Sequence, residues 1–124
     1  MKKTLIVGTV AFDEIETPKE SSGKILGGAA TYIGLSTAIF ESKASIISVV
    51  GGDFDQKYLD LLNSKGLDTS SIEIITKGKT FYWKGKYHKD WNKRDTLSTQ
   101  LNVLADFNPI LDKYNSRAEI IVLG

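Results

Sequence analysis

The chain has 124 residues, of which 41% are hydrophobic and 25% charged, the composition of a folded globular domain rather than a disordered one. Sixteen basic and fifteen acidic residues leave a formal net charge of +1, so charge alone recruits neither nucleic acid nor an anionic membrane. With no cysteine and a single histidine, the composition excludes disulfides and thiolate metal sites and argues against a histidine-rich metal site.

The amino-terminal apolar run, residues 5–7, ends at Gly8 and lacks both the apolar length and the small-residue cleavage site of a signal peptide. No other stretch approaches the roughly 20 apolar residues of a membrane span. We therefore expect a cytoplasmic protein without a membrane or nucleic-acid partner.

The first half of the chain has the pattern of a βαβ unit. Residues 4–7 and 44–50 are apolar, β-rich runs that end at glycine, typical of strands buried on both faces. Between them, residues 29–40 predict a helix that is apolar nearly all round and therefore buried. Residues 14–26 are polar and predict a loop or an exposed hairpin. The order of strand, helix and strand favours a parallel sheet.

Residues 54–65 predict an amphipathic helix closed by Gly66. Its predicted buried face consists of Phe54, Tyr58, Leu61 and Leu62.

The second half of the chain contains further strand candidates. Residues 71–75 predict a strand, and the aromatic, roughly alternating residues 80–87 predict one with a wet face. Residues 95–106 favour a strand plus a loop, and residues 109–114 a short helix. Residues 119–124 repeat the pattern of the first strand, an apolar run that ends at a glycine.

Three residues near the strand ends have side chains or backbones suited to ligand binding. Asp13 follows the first strand, where its carboxylate could accept hydrogen bonds from two hydroxyls of a polyol; the alternative is that it caps a turn. Gly27 and Gly28 precede the long helix, where they would let a ligand approach free backbone N–H groups. For this pair the alternative is a tight turn.

The order and spacing of these segments resemble the N-terminal part of the ribokinase-like (PfkB-type) carbohydrate kinase family. The resemblance consists of Val7-Gly8 with Asp13, a polar stretch, Gly27-Gly28 before a helix, and two later motifs. The later motifs are Val50-Gly51-Gly52-Asp53 and Leu61-Leu62-Asn63-Ser64-Lys65-Gly66-Leu67-Asp68-Thr69. The implied fold class is α/β: the N-terminal part of a three-layer α/β/α domain with a mostly parallel sheet, plus a small β-strand lid.

The resemblance implies an ATP-dependent sugar kinase that uses a divalent metal such as Mg²⁺ and phosphorylates a hydroxymethyl group. By this analogy Asp13 holds substrate hydroxyls, and Gly27 and Gly28 let the helix start close on them. Phe81 and Trp83 belong to the lid, which covers the substrate and could pair two subunits as a homodimer.

Two positions depart from the sugar-binding members of the family. Ala11 and Tyr32 stand where many members have asparagine, which removes amides that fix a particular sugar and makes ribose doubtful. Tyr32 could instead stack on a sugar or nucleobase; the alternative is a core helix residue. By looser analogy, Asn102 and Gln100 lie near a lid return that reaches the substrate.

The resemblance also implies that the chain is an N-terminal fragment of one kinase domain, with the core at about 1–13, 27–75 and 106–124 and the lid at about 14–26 and 80–103. The Gly-Ala-Gly-Asp type motif of the catalytic and ATP half is absent, so we expect no catalytic or metal-binding residue here and no activity from 1–124 alone. The Lys-Gly-Lys triplets at 77–79 and 84–86 lack phosphate-loop spacing and predict solvated turns. Two alternatives remain open: an adenosine-type nucleoside kinase, or a non-catalytic binding or oligomerisation module.

Overall fold

A computed structural model describes residues 3–40, 43–113 and 115–124. Within these ranges the chain forms two α-helices, nine strands arranged in a central sheet and a smaller one, and short 3₁₀ helices at Asn102–Asp106 and Asn115–Arg117. The elements are β1 Thr4–Val7, β2 Ala11–Glu16, β3 Ser21–Gly27, α1 Ala29–Phe40, β4 Ala44–Gly51, α2 Gln56–Ser64, β5 Leu67–Asp68, β6 Ile72–Ile75, β7 Tyr82–Tyr87, β8 Arg94–Gln100 and β9 Ile120–Leu123.

The central sheet is parallel throughout its described pairings. Its order is β5-β4-β1-β9, and β6 pairs with the second half of β4. The chain moves from β1 through α1 to β4, which is the βαβ unit that the sequence predicts. The predicted fold class, α/β with a mostly parallel sheet, is confirmed.

The strand β4 is the most buried element because its side chains are covered on both faces of the sheet. All eight of its residues are buried. Ile46 and Val50 belong to the core cluster that also contains residues of α1 and α2. Ile47 and Val49 alternate to the opposite face and are also buried, and the 3₁₀ helix Asn102–Asp106 contacts β4. A continuous apolar sequence is therefore required at this strand.

Helix α1 differs from the prediction that it is buried all round. Only Ala30, Thr31 and Gly34 are fully buried, because they face the sheet; a Cβ on Gly34 would meet Ile46 and Leu67 side chains. The opposite face is open, and the most exposed apolar residues there are Tyr32, Ile39 and Phe40, at 55%, 79% and 87%. Within the described ranges the helix is covered mainly on the side that faces the central sheet.

Helix α2 is amphipathic, as predicted, but its buried face differs in detail. Leu59 and Leu62 are buried, whereas Leu61 is 44% exposed. The side chain of Asp55 caps the helix by accepting a hydrogen bond from the Lys57 N–H at 3.0 Å. At the other end Gly66 adopts a φ of +92°, the left-handed conformation that favours glycine after a helix.

The second sheet, which we call the lid sheet, has the order β3-β2-β7-β8. The pairs β2–β3 and β7–β8 are antiparallel hairpins, and β2 and β7 join them as parallel neighbours. The polar stretch after β1 is therefore a hairpin, and it pairs with a strand some 70 residues further along the chain. The triplet at 84–86, predicted as a solvated turn, lies within β7.

The lid sheet is anchored to the central sheet by the turn after β4. The carboxylate of Asp53 accepts hydrogen bonds from the N–H and hydroxyl of Thr80, at 2.8 and 2.7 Å. The Thr80 hydroxyl in turn accepts from the Gly51 N–H at 3.0 Å, and Thr80 is 1% exposed. A Cβ on Gly51 or Gly52 would collide with the backbone of residues 76–79. The Gly-Gly-Asp turn is thus shaped to hold the start of β7.

The segment between β8 and β9 does not form the predicted helix. Residues 109–113 are irregular, and Tyr114, the end of that predicted helix, lies outside the described residues. The edge strand β9 carries exposed apolar side chains, with Ile121 at 53% and Leu123 at 78%. Neither α1 nor α2, the α-helices of the described ranges, has the length to cross a bilayer.

We predict that Thr80→Val lowers the free energy of unfolding by about 1–3 kcal/mol, because it leaves the buried Gly51 N–H without an acceptor and removes one donor to Asp53. Urea denaturation followed by circular dichroism measures this difference. Thr76→Val, at an exposed turn, is the matched control and should change stability by less than about 0.5 kcal/mol. Equal effects of the two substitutions would contradict the anchoring role of Thr80.

Candidate functional site

The carboxyl ends of β1 and β9 lie beside the start of α1, and we call this edge of the sheet the crevice, after the place where open α/β sheets bind ligands. Strand β1 leads through α1 to β4 on one side and pairs with β9 on the other, the topology at which open α/β sheets bind ligands. A Cβ on Gly8 would lie 3.3 Å from the Gly124 carbonyl oxygen and 3.4 Å from the Ala30 Cβ. Bare backbone at Gly8 is what allows these elements to converge.

Asp13 is placed at this crevice by strand pairing. It lies within β2, opposite Ile25 of β3 and Trp83 of β7, so it is a strand residue and not the cap of a turn. Its half-buried carboxylate accepts a hydrogen bond from the Gly28 N–H, immediately before α1. The carboxylate is thereby fixed at the positive end of a helix, where a negative charge is favoured.

Gly27 and Gly28 are both required by this arrangement. A Cβ on Gly27 would overlap the Asp13 carboxylate, and a Cβ on Gly28 would overlap the Thr9 carbonyl. Gly28 also has a φ of +98°, in the region that strains other residues. The glycine pair thus makes room for Asp13 and lets the chain turn directly from β3 into α1.

The expectation that free N–H groups at the start of α1 meet a ligand is corrected by the structure. The Ala29 N–H donates to the Thr9 hydroxyl at 3.0 Å, and the Ala30 N–H donates to the Thr9 carbonyl at 2.9 Å. Since the Gly28 N–H donates to Asp13, these three groups are satisfied within the protein. The helix start therefore positions the Asp13 carboxylate rather than a ligand.

Burial raises the pKa of Asp13 above its ordinary value, and the hydrogen bond from the Gly28 N–H opposes part of that rise. Desolvation strengthens the hydrogen bonds that the ionised carboxylate accepts from a ligand. The site therefore combines a polar acceptor with a partly dehydrated setting, which suits hydroxyl groups.

Tyr32, in the first turn of α1, is 55% exposed, so its reading as a packed core residue is wrong. Its place as a substrate-binding residue stays a prediction. Asn102 has a different environment: its side-chain amide donates to the Thr80 carbonyl at 2.9 Å, and its φ is +51°. These contacts make Asn102 part of the lid anchor, and its predicted role at the substrate stays a prediction, as does that of the exposed Gln100.

The lid sheet has two chemically different faces. Phe81 and Trp83 alternate to the same face as Asp13, because the register pairs Trp83 with Asp13. The other face begins with Phe12, which packs 5.5 Å from the rings of Phe54 and Tyr58 in the core.

Further out on that second face, Lys84 forms ion pairs with Glu14 at 3.0 Å and Glu16 at 2.8 Å. The ammonium of Lys84 lowers the pKa of Glu14, and the two carboxylates raise the pKa of Lys84. Sequence analysis missed this cluster, although alternating charges at 14 and 16 are a visible signal for one strand face.

Among the described residues, His, Asp and Glu side chains do not form a group of three or more that could hold a metal ion. The two lysines of the 77–79 triplet lie in the turn before β7, and Lys84 is held by its carboxylate partners. The donors described here therefore do not fit a metal-bound nucleotide.

No protein-family model matches the chain. It is 31% identical over 90 residues to a cytidine kinase of Thermococcus kodakarensis, covering 73% of this chain and 32% of that protein. It is 30% identical over 115 residues to a nucleoside kinase of Methanothermobacter thermautotrophicus, covering 69% of this chain and 37% of that protein. The chain thus spans about a third of the length of these curated relatives.

Solved structures share the fold. The nucleoside kinase of Methanocaldococcus jannaschii, described as an archaeal member of the ribokinase family, has a TM-score of 0.80 and 21% identity, covering 99% of this chain and 44% of that one. A Burkholderia thailandensis nucleoside kinase in complex with inosine has a TM-score of 0.73 and 20% identity, and the match covers 84% of this chain and 38% of that one. Sequence matches and fold together confirm the predicted resemblance of the chain to the N-terminal part of the ribokinase-like (PfkB-type) kinases.

Proposed function

We propose that this chain forms the substrate-binding side of a kinase that transfers a phosphoryl group to a hydroxymethyl group of a nucleoside. The observation that carries the proposal is the half-buried Asp13 carboxylate, fixed by the Gly28 N–H at the start of α1. An ionised carboxylate has two acceptor oxygens, which suits the paired hydroxyls of a ribose ring.

The relatives support a nucleoside over a free sugar. The two curated relatives are a cytidine kinase and a nucleoside kinase, and one of the structural neighbours was solved with inosine. The replacement of two amides by Ala11 and Tyr32 also argues against a site built for free ribose. A sugar, the substrate first expected, is the second candidate, because Asp13 by itself accepts hydroxyls from either.

The chain's own residues contribute binding and orientation. Asp13 accepts hydrogen bonds from substrate hydroxyls, Gly27 leaves space for its carboxylate, and Gly28 holds that carboxylate in place. ATP, with Mg²⁺, is the proposed phosphate donor of the longer protein and would supply the transferred group. Since the donors described here do not fit a metal-bound nucleotide, no step of the transfer is assigned to them. Pairing of two subunits through the lid sheet, and a non-catalytic binding role, remain proposals.

We predict that Asp13→Asn weakens binding of cytidine or inosine to the chain by about 10- to 100-fold, because a charged acceptor for two hydroxyls is lost. Isothermal titration calorimetry measures the affinity. Asp106→Asn, which removes a charge at an exposed position, is the control and should leave affinity unchanged. An unaltered affinity of the Asp13 variant would remove Asp13 from the site.

The same substitution should not destabilise the fold. Because burial raises the pKa of Asp13, the unfolded chain ionises at lower pH than the folded one, and stability falls as pH rises from the ordinary pKa to the raised one. Asn removes that loss and keeps an oxygen for the Gly28 N–H. We therefore expect a melting temperature at pH 7 equal to or above that of the parent chain; a lower one would contradict this account.

Nucleoside affinity should also fall as the solution is acidified through the pKa of Asp13, since protonation removes an acceptor. The raised pKa moves this loss to a higher pH than an exposed aspartate would show. Titrations at a series of pH values measure the midpoint, and in Asp13→Asn the dependence should vanish. The same pH dependence in both proteins would assign it to another group.

We predict that purified 1–124 transfers no phosphate from ATP to cytidine, inosine or ribose above a control without enzyme. The physical reason is that phosphoryl transfer needs a phosphate cradle, and the Gly-Ala-Gly-Asp type motif expected to supply it does not occur in 1–124. Radiolabelled ATP gives the necessary sensitivity. Transfer that is abolished by Asp13→Asn would overturn this prediction.

A further inference from the structure

Trp83 lies directly beside Asp13 on the lid sheet. The two residues are register partners on the parallel strands β7 and β2, so their Cα atoms are separated by about 4.8 Å, one strand spacing. Phe81 lies two residues earlier on the same face. A ligand whose hydroxyls bind Asp13 therefore has an aromatic surface as its immediate neighbour.

The orientation of the indole is set by Gly85. A Cβ on Gly85 would overlap the six-membered ring of Trp83, so the indole lies against bare strand backbone. Gly85 is buried although its neighbour Lys86 is exposed. The sequence Trp-x-Gly within one strand thus lays the ring along the sheet, with an orientation fixed before any ligand arrives.

The indole of Trp83 has few contacts with other side chains among the described residues. Among the described residues, its one ring-stacking or cation–π contact is with the guanidinium of Arg94, 5.4 Å from the ring centroid. Arg94 is on the neighbouring strand β8, is exposed, and has no ion pair among the described residues. A guanidinium on an indole face shows that this face accepts a flat, delocalised group, and a solvent-exposed arginine can be displaced from it.

The opposite face of the lid sheet lacks this character. There the side chains beyond the core are the ion-paired Glu14, Glu16 and Lys84, together with Tyr82, whose ring lies beneath the Lys24 ammonium. The carboxylates of that face are held in ion pairs, whereas on the Asp13 face a carboxylate outside the ion pairs of the described residues lies beside an indole that contacts the exposed Arg94. That combination matches a molecule with a polyol ring joined to a flat heterocycle.

We propose that Trp83 is the surface on which the purine or pyrimidine base of the substrate stacks, and that it is the residue that favours nucleosides over free sugars. This inference rests on the proposed nucleoside function and deepens it. The base takes the place of the Arg94 guanidinium on the indole while the ribose hydroxyls donate to Asp13. Every base has a flat π face that can stack on an aromatic side chain, so both purine and pyrimidine nucleosides are accepted.

The test compares cytidine and inosine affinities of Trp83→Ala, Trp83→Phe and the parent chain by calorimetry. We expect a loss of about 10- to 100-fold in the alanine variant and a loss of at most about threefold in the phenylalanine variant. Trp91→Ala, which removes the other tryptophan, at an exposed position between β7 and β8, is the matched control and should have no effect. Tyr32→Ala tests the competing aromatic residue on α1.

A spectroscopic measurement separates stacking from a structural role. In a Trp91→Phe background Trp83 is the sole tryptophan, and its fluorescence should be quenched saturably by cytidine and inosine but not by D-ribose. Gly85→Ala, which adds a Cβ under the ring, should reduce both the quenching and the affinity. Far-UV circular dichroism identifies any variant that fails to fold, and the quenching experiment still decides the matter in that case.

The outcomes distinguish this inference from the function on which it rests. If nucleosides bind in an Asp13-dependent manner but Trp83→Ala has no effect and quenching is absent, the stacking role is wrong and the proposed function stands. If Tyr32→Ala causes the loss instead, the base lies on α1. If the parent chain binds no nucleoside, the proposed function and this inference both fail.

Discussion

The carboxylate of Asp13 occupies the point where the lid sheet, helix α1 and the crevice meet. It can lie there only because Gly27 has no side chain and because Gly28 turns, at a φ of +98°, to aim its N–H at the carboxylate. Thr9 satisfies the next two N–H groups of the helix start. Gly27, Gly28 and Thr9 thus hold one charged group in a partly dehydrated place, and the proposed binding chemistry depends on that constraint.

The lid sheet is positioned by a second set of contacts, at the turn after β4. Asp53, Thr80 and the backbone of Gly51 form a partly buried chain of hydrogen bonds, and Asn102 joins it through the Thr80 carbonyl. This junction fixes where β7 begins, and the start of β7 decides which of its residues is paired with Asp13. The Gly-Gly-Asp motif therefore influences the site without forming part of it.

Much of the fold follows from local sequence. Strands β1 and β4 are apolar runs that end at glycine, and a sheet covered on both faces requires such runs. Prediction failed where burial depends on what lies opposite an element. Helix α1 has apolar residues on every side, yet Ile39 and Phe40 are exposed because none of the residues that the structure describes covers them. Residues 109–113, too, are irregular although the pattern favours a helix.

The sequence by itself determined the parts of the site: a carboxylate after the first strand, a glycine pair before a helix, and aromatic residues in a later strand. The tertiary structure decided how they combine. Pairing of β2 with β7, some 70 residues apart, placed Trp83 rather than Tyr82 beside Asp13. Likewise, Thr9 accepts hydrogen bonds from the Ala29 and Ala30 N–H groups at the start of α1, which the sequence predicts to be free for a ligand. Both outcomes depend on register and contact between distant segments, since a shift of one residue would turn every side chain of the strand to the other face.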